Sequence, residues 1–219
     1  MTYLFLAVAG SIGSGKTTLT KRLATRLGLR PLFEETADNP YLADFYAEMR
    51  RYALPMQLRF LATRVSQARA AQRARSSIIQ DRTCYEDAEI FAKNLHDRGE
   101  MDPRDWATYR LVSDELLFGI EPPDLLVCLR RSPQSCREQI ACRGRDYEQR
   151  MPEGYLDDLG QRYDAWFDAY DRGAKIIVRS EEHDFLRSDR DLDALVLRIA
   201  EALPQRMLPF AMPAMENTW

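Results

Sequence analysis

Short apolar runs separated by longer amphipathic stretches set the expected architecture. Tyr3-Leu4-Phe5-Leu6-Ala7-Val8-Ala9 is apolar at every position, as in a central parallel strand covered by helices on both faces, and Gly10 ends it. Beyond a glycine-rich turn, Leu19, Leu23 and Leu27 recur on one helical face, with Gly28 as the stop. Leu29-Arg30-Pro31-Leu32-Phe33 predicts a short second strand with Glu34 and Glu35 at its carboxyl end. Residues 39–74 read as largely helical, with Pro55 as the first residue of a second helix whose stripe is Leu58, Leu61 and Val65. Residues 76–80 form a third strand candidate, followed at once by Asp81-Arg82; helical stretches lie around residues 88–95 and 106–118. Residues 124–129 and Lys175-Ile176-Ile177-Val178 complete a set of about five strands, and the charged chain between them is helical. Leu192, Leu195, Ile199 and Leu203 mark a final helix. Strand and helix blocks in alternation predict an open α/β fold, a mostly parallel sheet with helices on both faces.

Composition narrows the classes. With 219 residues, 45% hydrophobic and 30% charged, the chain suits one compact domain over residues 1–203, followed by a proline- and methionine-rich tail, 204–219. Thirty-one Lys and Arg against 34 Asp and Glu leave a charge of -3, which gives no general attraction to nucleic acid. Any anion site is therefore local. Cys84, Cys128, Cys136 and Cys142 lack compact zinc spacing and read as free thiols of a reducing cytoplasm. The first apolar run is too short to span a membrane and has no basic start of a signal peptide, so neither a membrane nor a nucleic-acid partner is expected.

The most specific local signal is Gly10-Ser11-Ile12-Gly13-Ser14-Gly15-Lys16-Thr17, a full G-x-x-x-x-G-K-T match between a strand and a helix. Glycines permit the turn, successive N–H groups surround phosphate oxygens, and the helix N-terminus adds favourable potential. Lys16 is expected on the β- and γ-phosphates and Thr17 Oγ on phosphate-bound Mg2+. This pattern establishes nucleotide binding rather than a reaction, because switches and motors share it with kinases.

Other polar groups fall on the same sheet edge. Glu34 or Glu35 can accept the proton of an attacking alcohol, or be exposed acids on a connection. Asp81 can hold magnesium and Arg82 can orient an acceptor oxygen, or the two form a structural pair. Glu86 and Asp87 read nucleobase donors if they point inward and are a solvated helix start if they point outward. Arg143-Gly144-Arg145, within a charged segment over about 137–150, offers guanidinium groups to phosphate around a local turn, or is an exposed helix with surface ion pairs.

Taken together, these motifs resemble the deoxynucleoside kinase family, which includes deoxycytidine, deoxyguanosine and bacterial deoxyadenosine kinases. The likeness spans residues 3 to about 167. It implies a P-loop kinase fold with a five-stranded parallel sheet, transfer from ATP with Mg2+ to a deoxynucleoside 5′-hydroxyl, and a homodimer formed through helices. By that resemblance Glu34 matches the general base, while Glu35 stands where relatives often have proline. Tyr46 and Glu148 match ligands of the sugar 3′-hydroxyl, Gln57 the reader of the base edge, and Arg64 follows Gln57 at the family's seven-residue interval. Asp81-Arg82-Thr83 resembles an acid-Arg-Ser motif, with threonine in place of serine. Asp87 matches an acid of purine- and deoxycytidine-preferring members and disfavours thymidine. Phe60 and Phe91 either flank the base or belong to the core. Arg143 and Arg145 match lid arginines of a lid over about 137–150. Gln139 stands where an earlier lid arginine is expected, with Arg137 two residues before it, and Tyr147 replaces an acidic lid residue of some relatives. The implied substrate is a purine deoxynucleoside, deoxyadenosine first, or deoxycytidine. The competing readings are a small-molecule or nucleoside monophosphate kinase and a nucleotide-dependent regulatory protein.

Overall fold

In a computed structural model the described residues are 3–33, 39–74, 76–185 and 187–204. Strands β1 (Phe5–Ala9), β2 (Arg30–Leu32), β3 (Ile78–Asp81), β4 (Leu125–Arg130) and β5 (Ala174–Arg179) pair in parallel in the order β2-β3-β1-β4-β5. The continuous apolar run is thus central, and Leu6, Ala7, Val8 and Ala9 have no exposed surface.

Strand order dictates where the helices lie. From β1 the chain steps outward to β2 and then reverses; every later step, to β3, β4 and β5, runs the other way. Right-handed crossovers running in opposite directions occupy opposite faces. Helix α1 (Lys16–Leu27) accordingly lies on one face, where α9 (Asp189–Ala202) joins it. The other face receives α2 (Leu42–Ala47), α3 (Met49–Ala74), the continuous run α4 (Cys84–Glu86), π turn Asp87–Ala92 and α5 (Lys93–Asp97), then α6 (Pro103–Leu117) and α8 (Tyr155–Ala169). Alternation along the strands divides the core accordingly. Leu4, Leu6, Val8, Leu125, Val127 and Leu129 pack toward α1 and α9, and Ala7, Ala9, Leu126 and Cys128 toward α3 and α8.

Pro55 does not begin a helix: it lies inside α3, and the break falls about two turns earlier at Glu48 (φ -138°, ψ 69°). The proline signal was real but displaced, because α3 tolerates the lost hydrogen bond where Ala53 and Met56 beside it are buried. The segment over about 137–150 also divides. Helix α7 (Pro133–Arg143) starts at Ser132, whose hydroxyl accepts from the Ser135 N–H, and ends at Gly144 in the left-handed region (φ 66°). A 3-10 turn, Asp146–Arg150, follows.

Candidate active site

The site grows from the turn after β1. A side chain on Gly10 would place its Cβ 2.7 Å from the Leu129 carbonyl, and one on Gly13 would meet the Cys136 carbonyl at 2.5 Å. Glycine is therefore required both by the neighbouring strand and by α7, which roofs the loop. Gly15 (φ 97°) caps α1, turning that helix's first N–H groups toward the loop. Lys16 is buried and donates from Nζ to the Ser11 carbonyl at 2.7 Å. Thr17 Oγ1 donates to Asp81 Oδ2 at 2.5 Å, which ties the loop to the end of β3.

Arg82, the next residue, is the one non-glycine residue with positive φ (71°) among the described residues. Its guanidinium donates from Nη1 to the Tyr163 hydroxyl at 2.8 Å and lies 4.3 Å from the centre of the Phe91 ring. The helix that follows opens with a capping box: Glu86 Oε2 accepts from the Thr83 N–H at 2.7 Å and the Thr83 hydroxyl at 3.1 Å. Threonine in place of serine keeps that bond. The π turn then carries Asp87 and Phe91 to the cavity wall together.

One cavity is lined by Ile12, Gly13, Lys16 and Thr17 from the loop, by Tyr46, Gln57, Phe60 and Arg64 from α2 and α3, by Arg82, Asp87 and Phe91, and by Arg143, Arg145, Tyr147 and Glu148 from the lid. Gly10, Ser11, Gly15 and Asp81 stand behind that wall, and Ser14 lines a second cavity. Arg64 Nε donates to Asp87 Oδ2 at 2.5 Å, with both side chains almost wholly buried. Gln57 is buried, and its Oε1 accepts no hydrogen bond among the described residues. Phe60 and Phe91 serve as both wall and core, since each packs on the cluster under α3 while facing the cavity. Glu34 lies outside the described residues.

Across the cavity the segment 143–148 folds inward. Glu148 is buried and accepts from Arg143 Nε at 3.1 Å and Nη2 at 2.5 Å, with Arg145 Nη1 3.7 Å away. The Tyr147 ring stacks on Tyr46, centres 6.0 Å apart and planes 12° from parallel. The glycine-rich loop, a buried polar wall and the arginines of the segment 143–148 thus face one space.

Comparison with known proteins decides the family. The deoxynucleoside kinase family profile matches residues 6–204. The chain belongs to the deoxynucleoside kinase family. Over 200 residues the kinase is 33% identical to a deoxyadenosine/deoxycytidine kinase of Bacillus subtilis, covering 90% of this chain and 92% of that one. It is 32% identical over 209 residues to a deoxyguanosine kinase of Lactobacillus acidophilus, 91% of each chain. A solved deoxyadenosine kinase of M. mycoides with bound dCTP superposes with a TM-score of 0.79 at 26% identity, over 90% of this chain and 100% of the other. The kinase carries out ATP-dependent phosphorylation of a deoxynucleoside to its monophosphate. Among the described residues no helix is long and apolar enough to cross a membrane.

Four side chains of the kinase take places that motif reading did not give them. Glu86 points inward, as one alternative held, yet reaches Thr83, Gly10 and Tyr163 rather than the cavity. The spacing Thr83-x-x-Glu86 is a capping-box signature and was readable. Arg137, two residues before Gln139, pairs with Asp157 at 2.9 Å. Arg131, just after β4, lines the second cavity with Ser14, Gln139 and the loop 180–185. Tyr163 carried no motif, and only its buried hydroxyl bonds reveal it.

Proposed function

We propose that the kinase takes deoxyadenosine as its leading acceptor, with deoxycytidine sharing the site, and that residues 1–203 act as one unit with a lid over about 137–150. The observation that carries this reading is the cavity shared by Lys16, Gln57, Arg64, Asp87 and the lid. Adenine and cytosine each set an exocyclic amine beside a ring nitrogen acceptor. The Gln57 amide offers the complementary acceptor and donor, and its buried Oε1 suits the incoming amine. Asp87, held by Arg64, offers a second acceptor to the same amine. A thymine carbonyl at that position would face acceptors. Relatives named for deoxyadenosine and deoxycytidine accord with this choice.

In this reading Glu34 accepts the 5′-hydroxyl proton, Tyr46 and Glu148 bind the 3′-hydroxyl, and Arg82 steers the attacking oxygen. Lys16 holds the β- and γ-phosphates, and Arg143 and Arg145 exchange part of their bond to Glu148 for the transferred phosphate. Mg2+ suits the chain beside Thr17: Asp81 Oδ1 is buried with no hydrogen-bond partner among the described residues, so a hard oxygen is available there. When bound beside Thr17 and Asp81, the ion would offset negative charge on the donor's phosphates. The donor base would extend past Ser14 toward Arg131 and Gln139. Leu111 and Phe118, both exposed on or at the end of α6, support a homodimer through helices. Cysteine thiols, three of them buried, suit a reducing cytoplasm.

The test is a purified-enzyme panel of the four deoxynucleosides and their monophosphates, with ATP and GTP as donors. Deoxyadenosine is expected to give the highest kcat/KM and ATP the faster transfer. Monophosphate-only transfer, or thymidine as the best acceptor, would overturn the reading. On the same panel Glu34→Gln should lower kcat by about 10²–10⁴-fold while leaving nucleotide binding intact.

A further inference from the structure

We infer that Glu86 and Tyr163 are positioning residues for phosphoryl transfer, holding Arg82 in its working orientation and linking it to the first amide of the phosphate loop. The inference rests on the proposed role of Arg82 at the attacking oxygen. Neither Glu86 nor Tyr163 lines the substrate cavity, so both act through other groups.

The chain of contacts is continuous. Tyr163 is 2% exposed; its hydroxyl accepts from Arg82 Nη1 at 2.8 Å and donates to Glu86 Oε1 at 2.8 Å. The same Oε1 accepts the Gly10 N–H at 3.4 Å, while Oε2 holds both Thr83 donors. One fully buried carboxylate therefore fixes the residue after Arg82, the start of the phosphate loop and a hydroxyl on α8. Arg82 needs such support, because a left-handed backbone is unfavourable for a residue with a side chain and persists only where its surroundings impose it. Its N–H bond to the Val8 carbonyl at 2.9 Å fixes the backbone, and Phe91 and Tyr163 fix the guanidinium from its face and its edge.

The interposed phenol has its own consequence. A carboxylate paired directly with Arg82 would engage the guanidinium as a fork and hold two N–H groups. The Tyr163 hydroxyl accepts from one of those N–H groups, Nη1, and donates its own proton to Glu86. Polarised by a cation on one side and a carboxylate on the other, that hydroxyl is a stiff strut rather than a freely turning rotor.

The experiment compares Tyr163→Phe, Tyr109→Phe, Arg82→Ala and the Arg82→Ala/Tyr163→Phe double variant in steady-state assays on deoxyadenosine and ATP. The Tyr109 hydroxyl is equally buried but makes no hydrogen bond among the described residues, so its removal controls for loss of a buried hydroxyl. Tyr163→Phe should lower kcat about 10–100-fold with both KM values within about 3-fold, the signature of misplacement in the transition state. Tyr109→Phe should leave kcat unchanged, and the double variant should match Arg82→Ala within about 2-fold, because one residue acts through the other. A Tyr163→Phe kcat at the wild-type level, an equal loss in Tyr109→Phe, or additive losses in the double variant would each overturn the inference. Should Tyr163→Phe fail to fold, Glu86→Gln, which gives up an acceptor oxygen, is carried through the same cycle with the same criteria. Wild-type enzyme that transfers to no deoxynucleoside removes the functional reading and this inference together; active wild type with an unaffected Tyr163→Phe removes this inference alone.

Discussion

The two faces of the sheet are built on opposite principles. Toward α1 and α9 the strands present Leu4, Leu6, Val8, Leu125, Val127 and Leu129 to Leu19, Leu23, Leu195 and Ile199, an apolar cluster, with Lys16 and Thr20 the buried polar side chains of α1. Toward α3, the π turn and α8 the same strands present smaller side chains, and the layer above holds Gln57, Arg64, Arg82, Glu86, Asp87 and Asn94, all almost fully buried. Polar groups are costly to bury and are retained where each has a partner or a task. The contrast follows from topology: the crossovers that run in one direction share one face, so the segments able to reach the phosphate loop from different helices converge there. The face with α1 is held by an apolar cluster behind the Lys16 end of that helix, and the face with α3 and α8 holds the buried polar cluster.

The strongest way to break this comparison is Asp87→Ala. It removes the 2.5 Å bond to a buried guanidinium, and loss of one partner of a buried ion pair costs about 3–5 kcal/mol. Urea unfolding should register that loss, and transfer to deoxyadenosine should fall with it. A change below about 1 kcal/mol would show that Arg64 does not depend on Asp87, and that burial on this face is not governed by pairing. Leu23→Ala makes the complementary test on the other face. Leu23 has no exposed surface, and its truncation should cost about 2–5 kcal/mol while kcat per folded molecule stays at the wild-type level. A fall in kcat comparable with that of Asp87→Ala would dissolve the division of labour between the faces.

Sequence made the first face almost fully legible. Continuous apolar runs give strands, Leu19, Leu23 and Leu27 give α1, and Leu192, Leu195 and Ile199 give α9, because burial there depends on periodicity alone. On the second face the motif residues were legible but their supports were not. Gln57, Arg64 and Asp87 carry a spacing, whereas the bond from Arg82 through Tyr163 to Glu86 spans 81 and 77 positions of chain and has no local signature. Pro55 was misread for a related reason. A breaker marks where a helix can end, and tertiary packing decides whether it does, so the boundary fell at Glu48. The turn at Gly144 was readable because glycine beside a run of helix formers is a local signal, and the chain is left-handed there.

The comparison turns on burial rather than polarity itself, which a polar cluster at the rim can test. Glu181, on the loop after β5, accepts from the Ser132 N–H at 3.1 Å, the Ser132 hydroxyl at 2.5 Å and the Ser135 hydroxyl at 2.8 Å, so it ties that loop to the base of α7. Hydrogen bonds from Ser132 first, then Ser135, hold its carboxyl below the ordinary glutamate range. A carboxylate whose pKa is lower in the folded than in the unfolded chain stabilises the fold above the unfolded pKa, and that contribution disappears as pH falls through the folded one. Glu181→Gln should therefore lower the thermal midpoint slightly at neutral pH, reflecting a stability loss of less than about 1 kcal/mol because the group is exposed. The gap from wild type should close as the solution is acidified through and below the ordinary glutamate range. A gap that persists unchanged at acidic pH would mean the carboxylate's charge contributes nothing. One as large as that of Asp87→Ala would mean that the number of polar bonds, rather than their removal from water, separates the two faces.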